Sequence, residues 1–398
     1  MLPLQVRRRL RRRRRGEPRT SAAPPSLDQL VQDAIGEILL RVSPEDPADI
    51  VRAAAVCKTW RRAAAEPSFA ARYRSHHRAA GTSPTVLGAF RTDAVMIPAT
   101  SFLPAAAGYG YRKCHVLDCR HGRVVLESLD DGEITVWDPI TGDEHVLPAV
   151  PGDVTLVCNI AVLCAAAGNC DHLSCHTGPF LVAMLGASAD GQMHGSVYLS
   201  ETGAWGPVAS VELYYLAANC ITVDIVPAAP VGNALYFIGD FGSEILRFEY
   251  DPEEPFLSVV EAPDVELCCN GVVLVPEADG RLGFAFIKPY QLHMWSVETG
   301  PDGEGEWEHR WNIDLMLLIP EPVPSHHLSG FVDGANTIVV ITDNGVYTIE
   351  LGSFHTRPLC KRDMSYSGFL YTGFFVPECR TGLGLLPPPA PAAAMETD

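Results

Sequence analysis

The sequence predicts a multidomain chain, α followed by all-β: a small three-helix segment and then a β-propeller of five or six blades. Three observations predict it. Apolar residues recur at helical spacing only between about residues 27 and 78. From about residue 84, short apolar runs alternate with turn signals, in a chain holding 34 Gly and 32 Pro. A strand-ending aromatic followed by Thr-Gly recurs at a spacing near fifty residues. The expected organisation is a disordered Arg-rich tail over 1–25, a helical domain over 26–80, a propeller over 81–380 and a disordered Pro/Ala tail over 381–398.

Eight arginines of the tail fall between positions 7 and 15, namely Arg7, Arg8, Arg9, Arg11, Arg12, Arg13, Arg14 and Arg15. Such a block repels itself and stays solvated; it is also a candidate nuclear-import signal, since import receptors read clustered cations. It has no apolar central segment, so it does not read as a secretory signal. Nucleus and/or cytoplasm is the expected location, and the twelve cysteines are expected mostly as buried thiols in a reducing compartment.

In "QLVQDAIGEILLRV", Val31, Ile35, Ile38 and Val42 form a helical stripe widened by Ala34 and Leu39. A second helix begins at "SPEDPADIVRAAAV", with Asp46 as N-cap, Pro47 in the first turn and Asp49 placed to answer the cap. The third segment, "CKTWRRAAAEPSFAARYRSHH", is broken or restarted at Pro67. Three helices this short have little core of their own, the usual condition of a domain completed by a partner.

"RVVLESLDDGEITVWDPITGDEHVLPAVPG" displays the β unit: strands at Val124–Ser128, Glu133–Trp137 and His145–Leu147, with Asp131-Gly132 as a hairpin turn. Trp137, Tyr198 and Trp295 are each followed by Thr-Gly at the fourth and fifth positions, and degenerate copies surround Phe248 and Tyr347. The separations along this series are 61, 50, 47 and 52 residues. That period, with about four strands per unit, resembles a kelch-type propeller blade. "TVLGAF" (85–90) and "SGFLYTGFFVPE" (367–378) can jointly close a sixth, and closure is favoured over an open sandwich or solenoid because it removes sheet edges.

Residues 28–77 resemble an F-box: Glu37-Ile38-Leu39-Leu40-Arg41, then Asp46-Pro47, then Arg52-Ala53-Ala54-Ala55-Val56-Cys57-Lys58-x-Trp60-Arg61-Arg62, then Pro67-x-Phe69. The region that follows is similar to the propellers accompanying F-boxes in plants, especially grasses, through "HVLDCRHGRVVLES", "VWDPITGDEHVLP" and "CDHLSCHTGPFLVAML". The resemblance implies binding to the Skp-type adaptor of a cullin–RING ubiquitin ligase, with Val31, Ile35, Ile38, Leu39, Val56, Cys57, Trp60 and Phe69 as contacts. It implies that the propeller holds a target protein and that the chain is a non-catalytic adaptor, without cofactor. Two departures stand out: the family's Leu-Pro at the first helix is Leu30-Val31, and Gly36 occupies a helix interior at a cost of about 1 kcal/mol.

Charge narrows the partners. Residues 1–80 hold 17 Lys+Arg against 8 Asp+Glu, net +9, and the remainder 13 against 40, net −27. So acidic a body repels phosphates, so nucleic acid is not expected as a partner, and no apolar run is long enough for a membrane span. The rival reading is a propeller enzyme or ligand-binding protein whose helices serve oligomerisation.

The sequence assigns no catalytic, cofactor or metal residue. No Gly-x-Ser-x-Gly or phosphate loop is spelled. "CAAAGNCDHLSCHTGPF" gathers Cys164, Cys170, His172, Cys175 and His176, but without the paired spacing of a zinc finger. A site using Cys170, His172 and Cys175 would need a distant fourth group; otherwise the segment is an inter-strand loop whose histidines bond backbone carbonyls. Cys268-Cys269 reads as inert core, and the His pairs at 76–77 and 326–327 as surface residues.

Overall fold

The computed structural model describes residues 27–376 except 83, 103–112, 167–169, 171, 173–174, 190, 214–225, 240–241, 267–270, 299, 301–304, 320–325, 333, 362–365 and 375. The expectations for the arginine tail, the Pro/Ala tail, Thr299 and Cys268-Cys269 lie outside the described residues.

Four helices open the described residues, because Pro67 divides the third segment in two: α1 (Leu27–Leu39), α2 (Pro47–Ala55), α3 (Lys58–Ala64) and α4 (Phe69–Ala79). Asp46 caps α2 as expected, its side chain accepting from Ala48 N at 3.0 Å. Asp49 does not reciprocate: its carboxylate pairs with Arg52 instead, one turn on. The Asp46 carboxylate also receives the backbone N–H (3.2 Å) and the hydroxyl of Ser101, from the propeller side. Burial pushes its pKa up, but these hydrogen bonds outweigh it and hold it below the ordinary carboxylate value. A depressed folded pKa stabilises the fold above the unfolded pKa of about 3.9 and loses that stability as pH falls through the folded value. Asp46→Asn should therefore flatten the acid limb of a pH–melting curve, leaving a smaller loss of melting temperature below pH about 4 than the parent shows.

Gly36 is buried in α1, yet a Cβ there would meet only the Arg72 guanidinium, at 3.8 Å. Gly36→Ala should raise the stability of the helical domain by up to about 1 kcal/mol, read in thermal or denaturant unfolding.

Six sheets follow. The first and last strands share one: β1 (Thr85–Arg91) lies between β2 (Met96–Pro98) and the final strand, Tyr366–Gly373, with Gly88 opposite Tyr371 and Ala89 opposite Leu370. The next is β3 (Cys114–Arg120), β4 (Arg123–Ser128), β5 (Ile134–Trp137) and β6 (Glu144–Val146). The third holds β7 (Val154–Cys164), β8 (Phe180–Ser188), β9 (Gln192–Leu199) and β10 (Ala204–Trp205), with β11 (Ala209–Glu212) also on β9. β12 (Ala229–Val231), β13 (Ala234–Gly239), β14 (Glu244–Glu249) and β15 (Phe256–Glu261) make the fourth. The fifth is β16 (Val272–Pro276), β17 (Leu282–Lys288), β18 (Gln291–Val297) and β19 (Glu308–Asp314), followed by the short α5 (Leu315–Leu318). The sixth is β20 (His326–Val332), β21 (Thr337–Thr342), β22 (Gly345–Glu350) and β23 (Thr356–Lys361), and the chain then returns to the first sheet as β24 (Tyr366–Gly373).

All are antiparallel; the second to sixth run outward in sequence order along their main path and the first reads β24-β1-β2, which is a six-bladed propeller closed by its two chain ends. The five aromatic anchors all fall on the third strand of their blades: Trp137 on β5, Tyr198 on β9, Phe248 on β14, Trp295 on β18 and Tyr347 on β22. They pack between neighbouring sheets, so the repeat records the spacing of inter-blade cores.

Three expectations are corrected. His77 and His326 are buried, not at the surface. His77 lies against Tyr73 (ring centroids 4.4 Å apart) and stacks on Phe374 at 6.1 Å, and His326 meets the edge of Tyr290. Among the described cysteines only Cys158 is fully buried.

The helical domain sits on the propeller where the ring closes. Besides Asp46–Ser101 and His77–Phe374, Thr85 Oγ1 donates to Pro44 O at 2.8 Å, and Val376, just beyond β24, joins the helical core.

Candidate functional site

The helices bury one face and expose another. Leu39, Leu40, Ile50, Ala54, Ala63, Ala64, Phe69 and Tyr73 form the interior, and Tyr73 anchors the α1 end by donating to Val42 O at 2.9 Å. Two of the eight expected contacts therefore offer no surface: Leu39 and Phe69 are 0% and 1% exposed, because both pack into the shared interior of the four helices. Ile35 and Trp60 are half-buried against that core.

The remaining expected contacts are on the surface. Val31 is 52% exposed, Ile38 51% and Val56 66%, and Cys57 is exposed beside it. Val31, Ile35 and Ile38 lie on one side of α1, at i, i+4 and i+7. Val56 and Cys57 occupy the short junction of α2 and α3, and α3 packs on α1. Lys58, Arg61 and Arg62 are exposed on the same short helix. The backbone N–H groups of Trp60 and Thr59 face the Cys57 thiol and lower its pKa. Exposed branched aliphatics flanked by cations are surface that a partner can cover.

On the propeller, the mouth of the central channel beneath α4 is a cavity of about 220 Å³ lined in part by Arg78, Arg120, His121, His172 and Phe374. Arg120 is buried and donates across the channel to Ala228 O. Burial and then the Arg120 charge hold His121 neutral, its pKa pushed down to about 2. Sequence reasoning missed this turn; its signal is "CRHGR", where His121 and Gly122 both take positive φ (52° and 77°) to reverse the chain between β3 and β4.

Below that turn lies the cysteine and histidine segment. Its ligand atoms converge: those of Cys164, Cys170, His172 and Cys175 all lie within 4.8 Å of one another. The fourth group is thus not distant. Cys164 ends β7 and pairs with Phe180 at the start of β8, so the hairpin folds it back over the loop. Burial first, then the neighbouring Cys164 and Cys170 thiols, push the Cys175 pKa up to about 12. His176 stands apart and pairs through Nδ1 with Asp138 Oδ2 at 2.7 Å, rather than with a backbone carbonyl.

Among the described residues no other group of metal-ligating side chains converges. Asp130, Asp131, Glu253 and Glu254 are exposed turn residues, as expected, with Asp130 bound to Lys113 at 2.9 Å. Among the described residues no helix is long and apolar enough to cross a membrane.

Residues 27–71 match the F-box domain. No curated protein matches the chain. Similar solved structures include a Bacteroides thetaiotaomicron protein of unknown function, 13% identical over 65% of this chain and 63% of that one, with a TM-score of 0.35. The WD40 domain of SCAP from fission yeast is 14% identical over 62% of this chain and 55% of that one, TM-score 0.37. The PQQ-bound aldose sugar dehydrogenase of Streptomyces coelicolor is 15% identical over 63% and 85%, TM-score 0.33. The chain thus spans less than two thirds of the first two of these structures.

Proposed function

We propose that this protein is the substrate-recognition subunit of a Skp–cullin–F-box ubiquitin ligase, with the F-box holding the Skp-type adaptor and the propeller holding a target protein. The observation that carries the reading is the F-box match at residues 27–71, in a domain that leaves Val31, Ile38 and Val56 uncovered after packing on the propeller. The adaptor contacts in this reading are Val31, Ile35, Ile38, Val56, Cys57 and the exposed part of Trp60. Lys58, Arg61 and Arg62 suit an adaptor surface that is acidic around an apolar groove.

The chain itself does no chemistry in this role. It raises the effective concentration of target lysines near a charged ubiquitin-conjugating enzyme. The end of α4, just after the F-box, lies at the channel mouth where β3, β20 and β24 end, so the target would use the opposite face of the ring. The arginine tail would support nuclear entry. The fifty-residue spacing and the three phrases shared with propellers of plant F-box proteins support a kelch-like, plant-type assignment.

Co-expression of the full chain with a Skp-type adaptor and cullin tests the reading. A stoichiometric complex that is lost on deleting residues 27–71 is expected. Failure of the folded full chain to bind the adaptor would remove the proposed role.

A further inference from the structure

We propose that Cys164, Cys170, His172 and Cys175 form a structural zinc site of Cys3His type that clamps the loop between β7 and β8. The loop spans residues 165–179, far longer than the two to five residues usual in a β-hairpin. Connections of that length without much secondary structure need another source of order, and among the described residues of this one the secondary structure is the short helical turn Cys175–Thr177.

The geometry matches zinc. A tetrahedral ion with Zn–S of about 2.3 Å and Zn–N of about 2.05 Å holds its S and N ligands about 3.6 Å apart. Cys175 Sγ and His172 Nδ1 are 3.6 Å apart. The remaining ligand atoms need to contract by no more than about 1 Å to reach the S···S edge of about 3.8 Å. Three thiols and one imidazole are a soft donor set that favours zinc over calcium or magnesium. Four protein ligands also leave no open position, the mark of a structural site.

The surroundings are built for it. His172 N–H points at Cys170 Sγ, 3.4 Å away, a hydrogen bond that supports a thiolate. To make that contact His172 takes φ +55°, a conformation that a non-glycine residue keeps only when its neighbours enforce it. The His121 ring stacks on His172 at 4.1 Å between centroids and 3° between planes, which fixes the imidazole orientation. Arg123 donates to Cys175 O (2.7 Å) and to Gly178 O, and its guanidinium also lies over Phe180. Zinc with three thiolates and a neutral imidazole carries one net negative charge, and Arg123 stands behind it as the counter-charge. Bound zinc would therefore tie the third blade to the β3–β4 turn at the channel mouth.

The test is elemental analysis of the full chain, purified under reducing conditions and dialysed against a weak chelator. One zinc per chain is expected. Cys170→Ser and Cys175→Ser should lower zinc affinity at least about tenfold. His172→Cys should keep the metal, and so should Cys158→Ser, whose thiol lies elsewhere. Because a ligand variant could simply unfold, Co²⁺ is titrated into the chain with its zinc removed, with circular dichroism recorded in parallel. Thiolate charge-transfer bands of three-sulfur intensity and tetrahedral d–d bands support the site. A folded chain that takes up no zinc and gives no such bands, or one in which two of these cysteines form a disulfide under the same conditions, overturns it. Adaptor binding plays no part in these readouts.

Discussion

Ile38→Asp and Val56→Asp should each weaken adaptor binding by about 2 kcal/mol or more, roughly thirtyfold, while the melting temperature of the chain hardly moves. The separation follows from exposure. Both side chains are more than half exposed, so a carboxylate there stays hydrated and costs the isolated fold no more than about 0.5 kcal/mol. In a complex the same carboxylate loses its water against an apolar groove and gains no partner. Leu39→Asp and Phe69→Asp should behave in the opposite way, unfolding the helical domain, since both lie in its interior. Isothermal titration with a Skp-type adaptor, alongside thermal unfolding, reads the two effects. Cys57 supplies a second readout that needs no substitution. Its exposed thiol, rendered more acidic by the start of α3, should react with iodoacetamide in the free chain and be protected in the complex. If Ile38→Asp binds the adaptor as tightly as the parent, the α1 surface is not the contact.

The stripe in α1 shows how far sequence goes. Spacing correctly gathers Val31, Ile35, Ile38 and Leu39 into one amphipathic helix, but it cannot say which edge of a broad stripe is covered by the chain itself. That depends on how the other helices pack on α1, which draws Leu39 into the shared interior and leaves Val31 and Ile38 outside. Local chemistry was more legible: the Asp46 cap and the Pro67 break follow from rules acting within one turn. The propeller was legible for a different reason. In five blades a large residue on the third strand fills the wedge against the preceding sheet, so Trp137, Tyr198, Phe248, Trp295 and Tyr347 recur at the blade period. Burial of His77 and His326 was not legible, because the rings that cover them, Phe374 and Tyr290, are remote in sequence. The same limit left the fourth group beside Cys170, His172 and Cys175 unassigned, although Cys164 was in the cluster. Only the pairing of β7 with β8 turns a residue six positions before Cys170 into its neighbour.

The closing blade is where the next large effect is expected: Tyr371→Ala should destabilise the protein by about 3–5 kcal/mol, a large part of the 5–15 kcal/mol that a domain usually has. Tyr371 is 1% exposed and stacks on Phe102 at 5.4 Å, with the edge of Phe90 at 6.4 Å. It shares its cluster with Leu87, Val116, Val124, Trp137 and Phe369, so the ring fills the wedge between the closing sheet that holds both chain ends and the sheet of β3–β6. Its hydroxyl contributes little, reaching Gly122 O only at 3.4 Å, and Tyr371→Phe should cost no more than about 1 kcal/mol. Ending the chain at residue 365 removes β24 altogether. What remains of that blade is the two-stranded pair of β1 and β2, which is marginal alone and leaves an open edge that invites aggregation. That truncation should be insoluble, whereas a chain ending at residue 376 should melt like the parent. The consequence extends to the helices, because the same blade carries them. β1 begins at Thr85, whose hydroxyl holds Pro44, and β24 is followed by Phe374, which stacks on His77. A propeller that opens at this seam releases the F-box as well. Tyr371→Ala should therefore lower the unfolding midpoint of helix and sheet together, followed by circular dichroism for the helices and tryptophan fluorescence for the sheets, since five of the six Trp residues lie in the propeller. Helices that melt unchanged while the sheets unfold early would mean that the two domains are coupled by contact alone and not through the closure of the ring.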